Sequence, residues 1–362
     1  MNKLAKVGLS ALCGSLAAVS SANAGEMTVT GGVDMTWMSL GGANAVTGNP
    51  IGMGSNLTFK GEGELDNGWT FTGTIAMLNG HSYSSAVVNV DMGGLGAINV
   101  NQGDSGNGID ALDDIMPTAW EEAWGNGLGT GIQLVSGVGP SMNIQYTTPT
   151  IMGTKITLAT APRMGVSDTA DKGSAGLDTS AIEAGYDATI MINPSLGTEI
   201  LSGWNLFSGA HYGTSSDGSQ KTVGTSGDQE QWHGQVGSTF DLGPVSIGYA
   251  RGGILTGKTT VGTDVSHYKN EMYGVAFNIN DNLSASYNKH ESMQGFVNRV
   301  VDTATDNTTA ENANVELSIQ SYQVAYTMGG ASIRFARSEV TNGSYQQGTE
   351  SDASVISLGL AF

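Results

Sequence analysis

Apolar and polar residues alternate along most of the chain. The alternation is clearest in residues 29–37, 69–77, 273–279, 283–287, 322–326 and 356–362. In the first of these stretches, Val33, Met35 and Trp37 are separated by Asp34 and Thr36. A period of two is typical of β-strands that have one apolar and one polar face. The sequence therefore predicts an all-β chain without an internal domain boundary.

Short turn signals alternate with long polar segments between these stretches. The short turns are residues 66–68, 93–96, 241–244, 280–282 and 328–330, and the long segments are 213–230, 256–270, 290–314 and 341–352. Tight turns on one side and long loops on the other are typical of a transmembrane antiparallel β-barrel. Such a sheet must close, because lipid offers no hydrogen-bond partner to an open edge.

The number of strands follows from counting the segments. Sixteen strands are predicted, beginning near Met27, Asn56, Trp69, Ala86, Ala97, Met142, Ile156, Ser180, Trp204, Gln231, Val245, Glu271, Leu283, Glu316, Ser332 and Ser354. Fourteen and eighteen strands are the alternatives. A barrel of about sixteen strands is wide enough to hold water rather than a packed core.

Alternation alone does not decide which face meets lipid, since a secreted soluble β-protein would show the same pattern. Aromatic residues near the predicted strand ends favour lipid, because amphipathic rings collect at membrane interfaces. They are Trp37, Trp69, Tyr146, Tyr186, Trp204, Trp232, Tyr249, Tyr273, Tyr287 and Tyr326. The alternation of short turns with long loops also favours an apolar face that contacts lipid.

The first 24 residues read as a secretory signal peptide. Lys3 and Lys6 precede a short apolar run, and residues 22–24 (Ala-Asn-Ala) fit the small-x-small cleavage pattern. We expect cleavage after Ala24 and one barrel domain from Gly25 to Phe362. The single cysteine, Cys13, lies in this segment. The mature chain is therefore expected to contain neither disulfides nor a catalytic thiol.

Composition separates the chain from ordinary soluble proteins. Glycine accounts for 54 of 362 residues, charged residues for 13%, and the formal net charge is −19. Without Lys3 and Lys6 the charge would be −21, because 12 basic residues then face 33 acidic ones. This balance argues against nucleic acid as a partner, since phosphates require a basic surface. It favours attraction or passage of cations.

Residues 101–129 interrupt the alternation with an acidic insert. Ile109, Leu112, Ile115 and Met116 fall at helical spacing, which predicts a short amphipathic turn able to pin one face to a wall. Asn107 or Gly108 can begin that turn, and Pro117 ends it. A solvated external loop is the alternative. The carboxylates could also hold Ca²⁺, although their spacing fits no EF-hand.

Four segments carry a resemblance to a known family. They are MTVTGGVDMTWM (27–38), LTFKGEGELDNGWTFTGTIAM (57–77), GGLGAINVNQGD (93–104) and ISLGLAF (356–362). With them the whole mature chain resembles a Gram-negative general diffusion porin, most closely the alphaproteobacterial trimeric type. The terminal segment resembles the signal read by the outer-membrane assembly machinery, with Phe362 as its terminal aromatic residue. The sequence lacks the Pro-Glu-Phe-Gly-Gly-Asp loop motif of the enteric porins.

The resemblance implies a third extracellular loop that folds into the barrel and narrows the channel. The insert follows the fifth predicted strand, as that loop should. The expected constriction residues are Asp110, Asp113, Asp114, Glu121 and Glu122. By parity, the expected pore-wall residues are Lys60, Glu62, Glu64, Lys155, Arg163 and Arg334. Arg251, Lys289 and Arg337 fall on the outward parity near loop ends. Few basic residues are expected on the wall opposite the acidic loop. This scarcity favours a preference for cations and argues against a strong electric field across the pore.

The resemblance also implies a function and a setting. We expect a water-filled, non-enzymatic outer-membrane channel for passive diffusion of small hydrophilic solutes and ions, without a cofactor. Its expected partners are a homotrimer, outer-membrane lipid, lipopolysaccharide and the barrel assembly machinery. A substrate-specific channel, a barrel enzyme and an adhesin are the alternatives. An enzyme is disfavoured because the five histidines, His81, His211, His233, His267 and His290, are scattered along the sequence.

Overall fold

The computed structural model describes residues 24–43, 48–79, 82–139, 141–165, 182–194, 201–215, 229–258, 264–296 and 314–362. Sixteen strands form the fold. They are β1 (Ala24–Gly42), β2 (Ile51–Glu64), β3 (Thr70–Leu78), β4 (Ser82–Asp91), β5 (Ala97–Gln102), β6 (Asn143–Thr147), β7 (Thr154–Ala161), β8 (Ile182–Ile192), β9 (Trp204–Ser215), β10 (Gln229–Leu242), β11 (Val245–Leu255), β12 (Val265–Asn280), β13 (Leu283–Phe296), β14 (Val315–Met328), β15 (Ala331–Thr341) and β16 (Glu350–Ala361).

The strands form one closed antiparallel barrel in which each strand pairs with its neighbour in sequence. β1 closes the barrel by pairing with β16, from Gly32 opposite Ala361 to Gly42 opposite Ser351. Phe362 extends this seam, because its backbone N–H and C=O both bond to Gly31 at 2.9 Å. The predicted fold class and strand count are confirmed. The predicted signal peptide lies almost entirely outside the described residues and stays a prediction.

The two faces of the barrel differ in chemistry. Apolar side chains point outward, for example Ile75, Val236 and Ile356, each about half exposed. Polar side chains such as Asn270, Asn288 and Ser321 point inward and are fully buried. Aromatic pairs on the outer face join neighbouring strands, with ring centroids 5.2 Å apart for Tyr249 and Tyr273. This is the expected arrangement for a barrel with lipid outside and a polar lumen. Among the described residues, no helix is long and apolar enough to cross a membrane.

Two of the long loops predicted from the sequence are shorter in the structure, because strands extend into them. β12 begins at Val265, although residues 256–270 were expected to be loop, and β13 continues to Phe296 inside the expected loop 290–314. Both strand ends carry polar residues on the inner face, such as Asn270 and Ser292, which are buried. Polar residues on the inner face and charged ones on the outer face hide the alternation that marks a strand.

Candidate functional site

The described part of the connection between β5 and β6, residues 103–139 and 141–142, is called the inner loop here because it lies inside the barrel. Its contacts run along the inward side chains of the wall. Leu112 C=O accepts from Gln235 of β10, Pro117 C=O accepts from Asn288 of β13 at 2.8 Å, and Asn126 donates to Ser338 of β15 at 3.1 Å. The prediction that this insert folds inward is confirmed, and an external loop is excluded.

An apolar cluster holds the first half of the inner loop. A 3-10 turn, Gly108–Leu112, begins after Asn107 and places Ile109 and Leu112 against the wall. Together with Met116 they are buried against Phe207 of β9 and Met272 of β12. Burying side chains of this size contributes about 1.5–3 kcal/mol each. The predicted amphipathic turn is therefore present and begins where expected, but it ends at Leu112 and not at Pro117. The apolar positions of the insert serve its attachment.

Two glycines on the wall let the loop approach closely. A Cβ on Gly248 would lie 2.5 Å from Pro117 Cδ, and a Cβ on Gly274 would lie 2.9 Å from the Pro117 carbonyl oxygen. Both distances are too short for a real side chain. Glycine at these two positions of β11 and β12 therefore makes room for the chain at Met116 and Pro117.

One buried carboxylate joins the two ends of the inner loop. Asp187 of β8 accepts from the backbone N–H of Ile109 at 2.8 Å and from that of Val138 at 3.1 Å, both on Oδ2. Its Oδ1 lies 2.6 Å from His211 Nδ1. Gly137 lies so close to this carboxylate that a Cβ would be 2.3 Å from Oδ2. Charge-assisted bonds of this kind are roughly twice as strong as neutral ones, so Asp187 fixes both ends of the loop.

A buried amide holds the tip of the inner loop. Gln323 of β14 accepts on Oε1 from the Thr118 hydroxyl and from the backbone N–H groups of Trp120 and Glu121, each at 3.0 Å. It also donates to the Glu121 carbonyl oxygen at 2.5 Å. Ser286 accepts from the Ala119 N–H at 2.9 Å. The wall therefore determines the backbone path of residues 118–121.

The acidic side chains of the inner loop fall into two groups. Asp114 and Glu121 are exposed and Asp113 is half-buried, whereas Asp110 and Glu122 are buried. Asp110 accepts from the backbone N–H of Gly106 at 2.8 Å, within the loop itself. Glu122 lies 3.0 Å from His290 Nε2 of β13. Two of the five expected constriction residues, Asp114 and Glu121, therefore face open space, Asp113 lies at the edge of that space, and Asp110 and Glu122 are placed where they can attach the loop.

The crowding of carboxylates changes their acidity. Burial, followed by the negative charges of Asp110, Asp114 and Glu122, raises the pKa of Asp113 to about 8. The Asp114 side chain is reached by solvent, but the surrounding protein partly desolvates it and raises its pKa, and His290 partly offsets that rise. For Glu121 burial raises the pKa, while Arg334 acts in the opposite direction. The charge on the open face of the loop therefore depends on pH near neutrality.

Arg334 of β15 is the expected wall cation that the structure places beside the inner loop. Its Nη2 donates to Asp34 Oδ2 at 2.6 Å and to Ser357 Oγ at 2.7 Å. Its guanidinium carbon lies 4.9 Å from the ring centre of Trp120. A cavity of about 690 Å³ opens here, between Glu121 of the loop and Asp34 and Arg334 of the wall. The loop therefore leaves open space in the lumen on this side.

The other expected wall residues lie elsewhere. Lys60 pairs with Glu62 of its own strand at 3.4 Å, both about half exposed, and Glu64 ends β2. Lys155 is exposed on β7, and Arg163 lies two residues beyond that strand. These positions spread the wall charges along the inner face instead of gathering them at one height.

The three outward basic residues form ion pairs on the outer face. Arg251 lies 3.1 Å from Glu271, Lys289 2.5 Å from Glu291, and Arg337 2.7 Å from Asp352. Their expected outward parity is confirmed, so they do not face the lumen.

A metal site finds no support in this geometry. Within the described ranges, no three His, Cys, Asp or Glu side chains are grouped so that they could hold a metal ion. The carboxylates of the inner loop are directed to different surroundings, which leaves the Ca²⁺ alternative a prediction without a preformed ligand set.

The sequence alone did not point to the residues that attach the loop. Asp187, His211, His233, Gln323 and Tyr345 come from five different strands or loops. Tyr345, for example, accepts from the Gln133 N–H at 2.9 Å and contacts the Ser292 hydroxyl at 2.7 Å. The sequence gives only a weak indication of which wall residues attach the loop. Most of them are large polar residues at inward positions of strands, where serine, threonine or glycine is more usual in this chain.

Comparison with known proteins places the fold. The sequence matches no protein-family model and no curated protein. Among solved structures, Salmonella typhi OmpF in complex with daunomycin is similar with a TM-score of 0.65 at 11% identity, covering 93% of this chain and 98% of that one. An anion-selective porin from Comamonas acidovorans is similar with a TM-score of 0.60 at 10% identity, and the match covers 93% of this chain and 99% of that one.

A further similar structure is the in-vitro folded OmpT of Vibrio cholerae in its trimer form. Its TM-score is 0.61 at 11% identity, and the match covers 94% of this chain and all of that one. Similarity at this level of identity reports the fold alone. The chain therefore has the closed sixteen-stranded β-barrel fold of outer-membrane porins.

Proposed function

We propose that this protein is an outer-membrane channel for passive diffusion of small hydrophilic solutes and ions. The observation that carries the proposal is the inner loop, which is fixed to one side of the lumen and presents Asp114 and Glu121 to open space. A wide barrel narrowed by a polar loop selects solutes by radius and wall charge. The loop attachments are numerous enough to hold one pore shape.

We infer cation preference from the charges at this narrowing. Asp113, Asp114 and Glu121 are the constriction residues of the proposal, while Asp110 and Glu122 serve as attachments. On the wall, Arg334 is already paired with Asp34 at 2.6 Å. An acidic loop facing a neutralised arginine concentrates cations in the passage. Lys60, Glu62, Glu64, Lys155 and Arg163 contribute more distant wall charge.

The proposed setting is the outer membrane of a Gram-negative bacterium, in contact with lipid and lipopolysaccharide. Homotrimer formation is part of the proposal, and the resemblance to the alphaproteobacterial trimeric porins supports it. Phe362, which is 73% exposed at the barrel seam, is the proposed recognition residue for the assembly machinery. A non-enzymatic role is supported by the burial of the Asp187–His211 pair, which has no exposed side-chain surface.

A planar-bilayer measurement tests the proposal. The refolded mature protein should show stepwise conductance, and its reversal potential in a KCl gradient should indicate preference for K⁺. At about pH 9, where Asp113 is charged, the double variant Asp113→Asn/Asp114→Asn should lose a large part of that preference, because it removes loop charge without changing side-chain size. Steps in groups of three would support the trimer.

The matched control is Glu316→Gln, which removes one carboxylate from an exposed position on β14. This position has the outward parity of Tyr322 and Val324, so selectivity should not change. A folded barrel without conductance would contradict the proposal and favour an adhesin or an enzyme. Conductance with selectivity that ignores the double variant would contradict the role of the loop acids.

A further inference from the structure

Two histidines are buried side by side on the inner wall, beneath the end of the inner loop. His211 of β9 and His233 of β10 face each other in the strand register, and their ring centroids are 4.7 Å apart. They are only 1% and 5% exposed. The proposed channel function does not use these two histidines. The presence of two buried imidazole rings at this place therefore needs another explanation.

The hydrogen bonds assign a different proton arrangement to each ring. His211 Nδ1 lies 2.6 Å from Asp187 Oδ1, so this nitrogen carries a proton that it donates to the carboxylate. His233 Nδ1 instead accepts from the backbone N–H groups of Ser136 at 3.2 Å and Gly137 at 3.1 Å. A nitrogen that accepts two N–H groups cannot carry a proton. His233 therefore holds the loop only while its ring is neutral.

We propose that Asp187, His211 and His233 form an acid-sensitive latch that positions the inner loop and releases residues 136 and 137 when His233 gains a proton. His233 is a positioning residue in this account, because it acts on the passage only through the loop. A test of the latch by single-channel recording rests on the proposed channel function. A test by hydrogen exchange does not, because it depends only on the contacts between His233 and the loop.

The charges around the two rings determine what a proton does there. Among the described residues, Asp187 of β8 faces His211 directly, Asp110 of the inner loop interacts with the charge of Asp187, and Met164 beyond β7 packs near His211. An imidazolium on His233 would lie beside the His211 ring, and in the described part of the chain no carboxylate hydrogen-bonds to His233. Burial raises the pKa of Asp110, which reduces the negative charge that Asp110 offers in acid.

Protonation of His233 also reverses its bonding to the loop. The ring would present N–H to the N–H groups of Ser136 and Gly137, which leaves three donors facing one another in a buried site. An unsatisfied buried donor is costly, so the loop segment must move to reach water. Asp187 would still hold Ile109 and Val138, so release is confined to one end of the loop.

Hydrogen exchange of the full barrel in detergent tests the latch without requiring conductance. After correction for intrinsic rates, the amides of residues 136 and 137 should be protected at about pH 7 and lose protection only towards about pH 3. Burial and the two N–H groups disfavour the imidazolium, so this loss falls well below the range in which an exposed histidine gains a proton. In His233→Asn the side-chain oxygen can take the place of Nδ1 as acceptor but does not titrate. This variant should remain protected in acid.

Single-channel recording gives the second readout. The wild-type channel should show steady current at about pH 7 and flickering in acid, whereas His233→Asn should stay steady while keeping the acid-dependent selectivity of the loop carboxylates. Equal acid flickering in both proteins, or wild-type protection unchanged across this range, would overturn the latch. Absence of conductance with pH-dependent exchange would instead overturn the channel function and leave the latch standing. If His233→Asn fails to fold, His233→Gln replaces it.

Discussion

Replacing Gln323 with leucine is expected to detach the tip of the inner loop while leaving the barrel closed. Leucine has a similar size, but it removes the acceptor shared by Thr118, Trp120 and Glu121. The Thr118 hydroxyl and the Trp120 N–H keep partners within the loop, namely the Glu121 carbonyl oxygen and Thr118 Oγ1, whereas the Glu121 N–H loses its acceptor. A buried donor left without a partner costs about 1–3 kcal/mol, which favours movement of the tip into the lumen. We expect a large rise in open-channel current noise and a weaker cation preference, both measured in planar bilayers.

Gln320→Leu is the matched control for this change. Gln320 lies on the same strand but faces outward, where it donates to Glu339 at 2.8 Å. The same chemical substitution at that position should leave current noise and selectivity unchanged. Equal noise in both variants would show that the barrel wall is affected generally and would contradict the role of Gln323 in positioning the loop.

Cation preference is expected to increase as pH rises from about 6 to about 9. The pKa of Asp113 is raised to about 8, so its carboxyl is largely protonated below that pH and gains its charge above it. Burial also raises the pKa of Asp114 and Glu121, so these groups lose charge as pH falls. Reversal potentials measured in a fixed KCl gradient at several pH values would follow this change.

The stability of the docked loop is expected to change in the opposite direction. A carboxyl whose folded pKa is raised binds more protons in the folded state than in the unfolded state, between the ordinary pKa of 3.8 and about 8. The free energy of unfolding therefore falls as pH rises through this window and is constant above it. Asp113→Asn should remove the step near pH 8 from the selectivity profile and the decline between the ordinary pKa of 3.8 and about 8 from the stability profile. A step that persists in this variant would assign it to another group.

The strands and their outward faces could be predicted from the sequence, because lipid restricts the side chains that can contact it. Outward positions within the lipid-facing band of a strand are apolar or aromatic, so residues such as Ile75 and Tyr273 report strand and face together. Closure of the sheet follows from the same rule, since an unpaired edge is not tolerated. The sixteen strands and the inward insert therefore came from local pattern, turn chemistry and family resemblance.

The roles of the side chains that face the lumen could not be predicted in this way. Polar residues on the lumen side can face water, a neighbouring strand or the loop, and the alternating pattern is the same in each case. Asp187 looks like any lumen-facing acid in the sequence, yet it is buried and accepts from Ile109 and Val138. Likewise Asp110 and Glu122 share the composition of Asp114 but not its exposure. These roles depend on contacts between residues far apart in sequence.

Chemical modification of a cysteine at position 114 tests most directly whether the inner loop lines a conducting pathway. The only cysteine, Cys13, lies in the predicted signal peptide, so Asp114→Cys would give the mature channel a single thiol. A positively charged thiol reagent should lower the current stepwise and reduce cation preference, while a negatively charged reagent should restore that preference. Gln347→Cys, on an exposed turn between β15 and β16, should respond to neither reagent. Complete labelling at position 114 without a change in current would contradict the account.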